Sequence, residues 1–190
     1  MNTIEPMILK ELRDTDYQSL IKFRIRKILI ICSNYDAFIL EEDGQIESQI
    51  YKEYIDLNLS NPPQFVWVQT SAQAREILNT VVGIDMVMCM YNVGDKEIFS
   101  LASELKHDRP NLPFVLLTHF SKEIYRRLSL LDTSAIDYMF SWHGNADLIV
   151  AIIKLFEDLK NADNDILEVG VQAILLVEDS VRYNSTYLAE

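Results

Sequence analysis

Five apolar runs of strand length recur along this chain, in "RKILIICSN", "QFVWVQT", "IDMVMCM", "LPFVLLT" and "AIDYMF". They are apolar nearly throughout rather than at alternate positions. A strand with one wet face alternates, whereas a continuous apolar strand belongs in a parallel sheet covered on both faces. Helical spacing fills the intervals. Ile46, Ile50, Tyr54 and Leu57 share one helical face, "SAQAREILNTVV" opens on a Ser cap, and "KEIFSLASELKHDRP" stops before Pro110. A further helix is expected from about residue 121 to 131, and "NADLIVAIIKLFEDLKNA" reads as a long amphipathic helix. The pattern predicts a doubly wound α/β domain over residues 24–160. In such folds function gathers at the carboxyl ends of the strands.

Composition narrows the function classes. The chain has 190 residues, 49% hydrophobic, enough for one domain and part of another. A net charge of −12 repels phosphate backbones and argues against nucleic-acid binding. Cys32 and Cys89, the two cysteines, have no metal-ribbon spacing and make no disulfide scaffold. The amino terminus carries Glu5, Lys10, Glu11, Arg13 and Asp14, so no apolar signal core is read there, and no apolar run reaches the ~20 residues of a membrane span. A cytoplasmic chain is expected.

The first and last strand-like segments repeat each other. When "ILIICSN" from Ile28 is laid on "ILLVEDS" from Ile174, Cys32 falls on Glu178 and Ser33 on Asp179. The end of the chain therefore reads as the first strand and helix of a second, similar unit. "LLVEDS" resembles the opening strand of response-regulator receiver domains, in which an acidic pair holds Mg²⁺. "DMVMCM" resembles that family's third strand and puts Met90 at the phosphoacceptor position. "PFVLLTHF" puts Thr118 at the hydroxyl position, and "AIDYMFSW" puts Ser141 at the lysine position and Trp142 at the proline position. The resemblance covers residues 24–160 and implies a flavodoxin-like fold with five parallel strands in the order 2-1-3-4-5. It divides the chain into a helical leader (1–23), a degenerate receiver-like domain (24–160), a linker (161–171) and a truncated second receiver (172–190) whose acidic pair is Glu178 and Asp179.

The departures from that pattern matter chemically. Phosphoryl transfer to a receiver needs a nucleophilic carboxylate and a Mg²⁺ ion that offsets charge on the transferred group. Mg²⁺ demands hard oxygen ligands. This sequence offers Cys32, Ser33 and Met90 where carboxylates are implied, and Ser141 in place of the lysine; only Thr118 fits. A thioether forms no acyl phosphate. The degenerate pocket of Cys32, Ser33, Met90, Thr118 and Ser141 therefore reads as a pseudo-receiver with no catalytic residue, no cofactor and no metal in the first domain. His119 stands where the family keeps a small residue and is read as part of a plug.

The same residues fit other chemistries poorly. Cys32 and Cys89 lie on neighbouring strands, yet Cys89 precedes Met90, and alternate residues face opposite sides, so buried structural thiols are expected rather than a redox pair. His107, His119 and His143 have no ligand spacing, and Glu41, Glu42 and Asp43 read as a solvated loop.

With the chemistry gone, the surfaces remain. The expected function is a non-phosphorylatable regulatory and protein-interaction module, not itself an enzyme. Its partner is a protein or the downstream domains of the same chain, with a homodimer through helix 4, strand 5 and helix 5 as one arrangement and no nucleic acid or membrane. Phe140 and Trp142 are the interface candidates, because aromatic anchors favour interfaces. The alternative is a small-ligand or nucleotide sensor in the vacated pocket, lined by Ser33, Asn34, Tyr91, Asn92, Thr118 and Ser141. The segments "YDAFILEEDG", "PPQFVWV", "FSKEIYRRL", "SAIDYMFSWHGNADLIVAIIKL" and "EVGVQAILLVEDS" also resemble the amino-terminal region of Bacteroidetes phosphoenolpyruvate synthase or pyruvate phosphate dikinase-like proteins. That resemblance implies that the chain is the regulatory front of a longer phosphotransferase, and it assigns no catalytic residue here.

Overall fold

The computed structural model describes residues 22–33, 36, 46–56, 61–91, 97–119, 126, 128, 130–142, 146–170, 172 and 185–188. The strands are β1 (Lys27–Ile31), β2 (Gln64–Val68), β3 (Met86–Met90), β4 (Phe114–Thr118) and β5 (Tyr138–Ser141). The helices are α1 (Ile46–Asp56), α2 (Ser71–Thr80), α3 (Glu97–Asp108) and α4 (Ala146–Asn164). Most of the helix expected over residues 121–131 lies outside the described residues. All strands are parallel, in the order β2-β1-β3-β4-β5, as the resemblance implied.

Strand parity sorts the core into two layers. Ile28, Ile30, Cys32, Met86, Met88, Met90, Val115, Leu117, Phe140 and Trp142 pack with residues of α1 and α4. Leu29, Ile31, Val87, Cys89, Phe114 and Leu116 pack with residues of α2 and α3. Every residue of β3 and β4, the strands at the middle of the sheet, is buried. Each fully buried Ile, Leu, Phe or Met contributes roughly 1.5–3 kcal/mol over an exposed one. The two thiols fall in opposite layers, so no redox pair forms between Cys32 and Cys89.

The same parity overturns one expectation. Phe140 and Trp142 are 0% and 1% exposed, so they are core residues and not surface anchors. Trp142 follows the end of β5, but its N–H still donates to Thr118 O at 2.8 Å. The strand geometry therefore persists through it and turns the indole inward beside Phe140.

Polar side chains close the amino-terminal ends of the strands. Asp85, just before β3, accepts the backbone N–H groups of Arg26 and Lys27 at 2.8 and 3.1 Å. Asp137, just before β5, accepts Phe114 N–H at 2.6 Å and pairs with Lys106 Nζ, also at 2.6 Å. Each carboxylate satisfies donors at the start of a neighbouring strand, where the ladder has no partner for them. Helix α2 is capped by Thr70, whose hydroxyl accepts Gln73 N–H at 3.2 Å, rather than by the expected Ser71. Ser71 lies one residue inside the helix and is buried. The Gln73 side chain returns the bond by accepting Gln69 N–H at 2.9 Å, a capping-box variant.

Helix α4 does more than cover the sheet. Asn161 binds the backbone of Phe23 twice, accepting its N–H at 2.8 Å and donating to its carbonyl at 2.8 Å. One helical turn earlier, Glu157 accepts Ile25 N–H at 2.8 Å and pairs with Lys154 at 2.6 Å. Lys160 Nζ lies 4.2 Å from the centroid of the Phe23 ring. The helix thus acts as a substitute strand for the residues entering β1. It also runs past residue 160 and ends in a π turn, Asp165–Val169, so the stretch expected as a linker begins as helix. Nearby, Tyr54 Oη is buried with no hydrogen-bond partner among the described residues. Burial, with Glu157 adding to it, pushes the Tyr54 phenol above its ordinary pKa.

Two stability measurements follow. Asn161→Ala removes three buried or half-buried hydrogen bonds and is expected to cost about 1–3 kcal/mol, a Tm drop of several degrees in a chain of this size; an unchanged melting curve would show that the clip contributes nothing. Trp142→Ala is expected to cost about 3–5 kcal/mol by denaturant unfolding, whereas a surface residue would change stability by less than about 0.5 kcal/mol.

Candidate functional site

The carboxyl ends of the strands meet at one edge of the sheet. Parallel pairing sets Ile31 beside Cys89, Met90 beside Leu117 and Thr118 beside Ser141. Continued by one residue, the first pairing places Cys32 level with Met90. Backbone bonds hold these ends: Cys32 N–H to Val68 O at 3.0 Å, Tyr91 N–H to Leu117 O at 2.8 Å and Trp142 N–H to Thr118 O at 2.8 Å.

Around this edge the predicted site residues take different surroundings. Cys32 and Met90 are buried in the apolar layer beneath α1 and α4. Thr118 and Ser141 are 4% and 2% exposed, so their hydroxyls are sheltered from solvent. Ser141 Oγ is buried with no hydrogen-bond partner among the described residues, while its backbone N–H donates to Ser185 Oγ at 2.7 Å. Ser33 is half-buried. Asn34, Asn92, Glu178 and Asp179 lie outside the described residues.

One carboxylate at this edge escaped the sequence reading. Asp36 is 5% exposed, and the Ser33 hydroxyl donates to its Oδ2 at 2.6 Å while Asp36 N–H donates to Ser33 Oγ at 3.1 Å. His119 Nε2 stands 4.0 Å from Asp36 Oδ1 and is mostly exposed. The signal was in the sequence: Ser33 and Asp36 have the S-x-x-D spacing of a capping box, directly after a strand.

The order of this trio limits its chemistry. Activation of a serine needs the imidazole between hydroxyl and carboxylate, taking the proton while the carboxylate orients the ring. Here the carboxylate sits in the middle and receives the hydroxyl hydrogen itself. The arrangement lowers no barrier to attack by Ser33 and instead fixes the turn after β1. His119 lies beside that turn rather than plugging the buried edge. Among the described residues, no group of three or more His, Cys, Asp or Glu side chains is placed to hold a metal ion. A cleft of about 520 Å³ opens elsewhere, between α1 and the first half of β2, lined by Ile50, Tyr51, Pro63 and Phe65 among others. It lies on the outer strand, apart from the β3–β4–β5 edge.

No protein-family model matches the chain, and no curated protein matches it. Solved structures do. The chain is similar to the signal receiver domain of an HD domain-containing protein from Pseudomonas fluorescens Pf-5, at 16% identity over 76% of this chain and 96% of that one, with a TM-score of 0.53. It is similar also to a structure of adenylate cyclase from Rhodopirellula baltica, at 11% identity over 77% of this chain and 98% of that one, with a TM-score of 0.50. Strand order, layer assignment and this likeness agree: the chain carries the fold of a signal receiver domain.

Proposed function

We propose that this chain is a regulatory, protein-interaction module of receiver fold that does not take up a phosphoryl group. The observation that supports the reading most is Met90. It ends β3, the position that carries the phosphoacceptor carboxylate in the receivers that this sequence resembles, and its side chain is buried against Cys32's layer. A thioether cannot form an acyl phosphate, and a thiol beside it is a poor ligand for Mg²⁺. Asp36, the carboxylate that the described residues place at this edge, is engaged by the Ser33 hydroxyl and belongs to the β1 turn rather than to β3. Ser141 supplies none of the positive charge that a lysine would bring to a transferred phosphoryl group.

Sheltering of Thr118 and Ser141 weighs against the small-ligand reading, because a sensor pocket presents its polar groups to an entering ligand. Among the described residues no helix is long and apolar enough to cross a membrane. The wider setting, the front of a phosphoenolpyruvate synthase-like or signalling protein, rests on the quoted sequence segments alone.

The test is a thermal-shift titration with Mg²⁺ and beryllofluoride, beside a phosphorylatable receiver as control. A species that binds only the folded state raises the apparent Tm. No shift is expected here while the control rises; a saturating rise in this protein would overturn the proposal.

A further inference from the structure

β2 is the outermost strand of the sheet, and Phe65 and Trp67 on it pack toward the layer that holds α1. The cleft of about 520 Å³ between α1 and β2 has the size of a small-ligand site. Its floor is apolar: Ile50 is fully buried, and Phe65 on the neighbouring strand is half-buried. Its wall is stiff. Pro62 and Pro63 each fix a backbone angle, and Asn61 before them holds a left-handed turn at φ 58°. Such a wall is in place before a ligand arrives, which lowers the cost of binding.

The lining favours one kind of ligand. Tyr51 faces the cleft with 55% of its surface exposed, so the core leaves much of this ring unused. Glu47 stands one helical turn earlier and lines the same cleft. The Trp67 indole N–H donates to Glu47 Oε1 at 3.1 Å and fixes the carboxylate beside the rings. None of the described residues that line the cleft carries a positive charge. Rings attract a cation through their negative faces, and a carboxylate attracts it through its charge. Among organic cations a guanidinium suits both. It is planar, stacks on aromatic faces, donates to carboxylates and is more weakly hydrated than an ammonium. The net charge of −12 adds attraction for cations at longer range.

We propose that the α1–β2 cleft binds an alkylguanidinium group, with the Glu47 carboxylate accepting its N–H and Tyr51 and Phe65 flanking its plane. The group belongs to a free small molecule or to an arginine side chain of a polypeptide. The cleft lies apart from the end of β3, so its occupancy does not depend on phosphoryl chemistry.

The test follows the two indole N–H signals of the full chain by NMR. Trp67 reports on the cleft through Glu47, whereas Trp142, 1% exposed, reports on the core. Ethylguanidinium chloride is expected to move the Trp67 signal saturably, with a Kd of about 1–10 mM, and to leave Trp142 in place. Ethylurea, a neutral molecule of the same shape, is expected to bind about fivefold more weakly or less. Glu47→Gln keeps an acceptor for the Trp67 N–H and is expected to weaken ethylguanidinium binding about fivefold, and Tyr51→Leu about threefold. Acetyl-arginine amide separates the two sources: binding tighter than that of ethylguanidinium assigns the group to a polypeptide, and equal or weaker binding assigns it to a free molecule. No shift of Trp67 up to about 50 mM, an equal effect of ethylurea or of sodium chloride, or unchanged binding by either variant would overturn the proposal. A beryllofluoride-induced rise in Tm bears on the phosphoryl reading alone, so the two failures are distinguishable.

Discussion

A parallel sheet with both faces covered leaves its strands no room for charge, and the rest of this molecule follows from that constraint. In β1 and the residue after it, Ile28, Ile30 and Cys32 enter one layer while Leu29 and Ile31 enter the other. A charged side chain at any of these positions would be taken out of water at a cost of several kcal/mol unless paired. Polar and charged groups are therefore displaced to the strand ends, where Asp85 and Asp137 satisfy starting amides at one edge and Ser33 and Asp36 build a turn at the other. The backbone needs of the strand ends, rather than any surface preference, decide where these carboxylates stand.

That constraint also explains what could be read from the sequence. Continuous apolar runs gave the strands, and the assignment of Cys32 and Cys89 to opposite layers needed only alternation. The strand order came through resemblance to receivers, and the paired strands have that order. Trp142 misled because it stands one residue past the last strand residue, where a loop was expected. Its backbone bond to Thr118 extends the strand geometry and carries the indole into the core. Ser71 was expected as a cap because the helical spacing seemed to start after it, but Thr70 has the extended backbone that a cap requires and Ser71 is already helical.

Asp36 was missed for a different reason. The acidic positions of the receiver pattern lie at the ends of β1 and β3, whereas this carboxylate stands three residues beyond Ser33. Its signature is local and could have been read. The contacts of Asn161 with Phe23 and of Ser185 with Ser141 could not. They join residues 138 and 44 positions apart, and neither pair has a sequence pattern beyond a single polar side chain. Contacts of this kind are fixed only when the surrounding elements bring an unfilled backbone donor within reach.

In the proposed reading, loss of the phosphoryl site is a consequence of how the strand ends pack. Clustered carboxylates at the strand ends repel one another, and a receiver that keeps them needs a cation to hold them together. Cys32 and Met90 carry no such charge, and they extend the apolar layer to the end of the sheet. Neither side chain offers a carboxylate for a phosphoryl group to modify, and Asp36, placed nearby, is held by the Ser33 hydroxyl in the turn after β1.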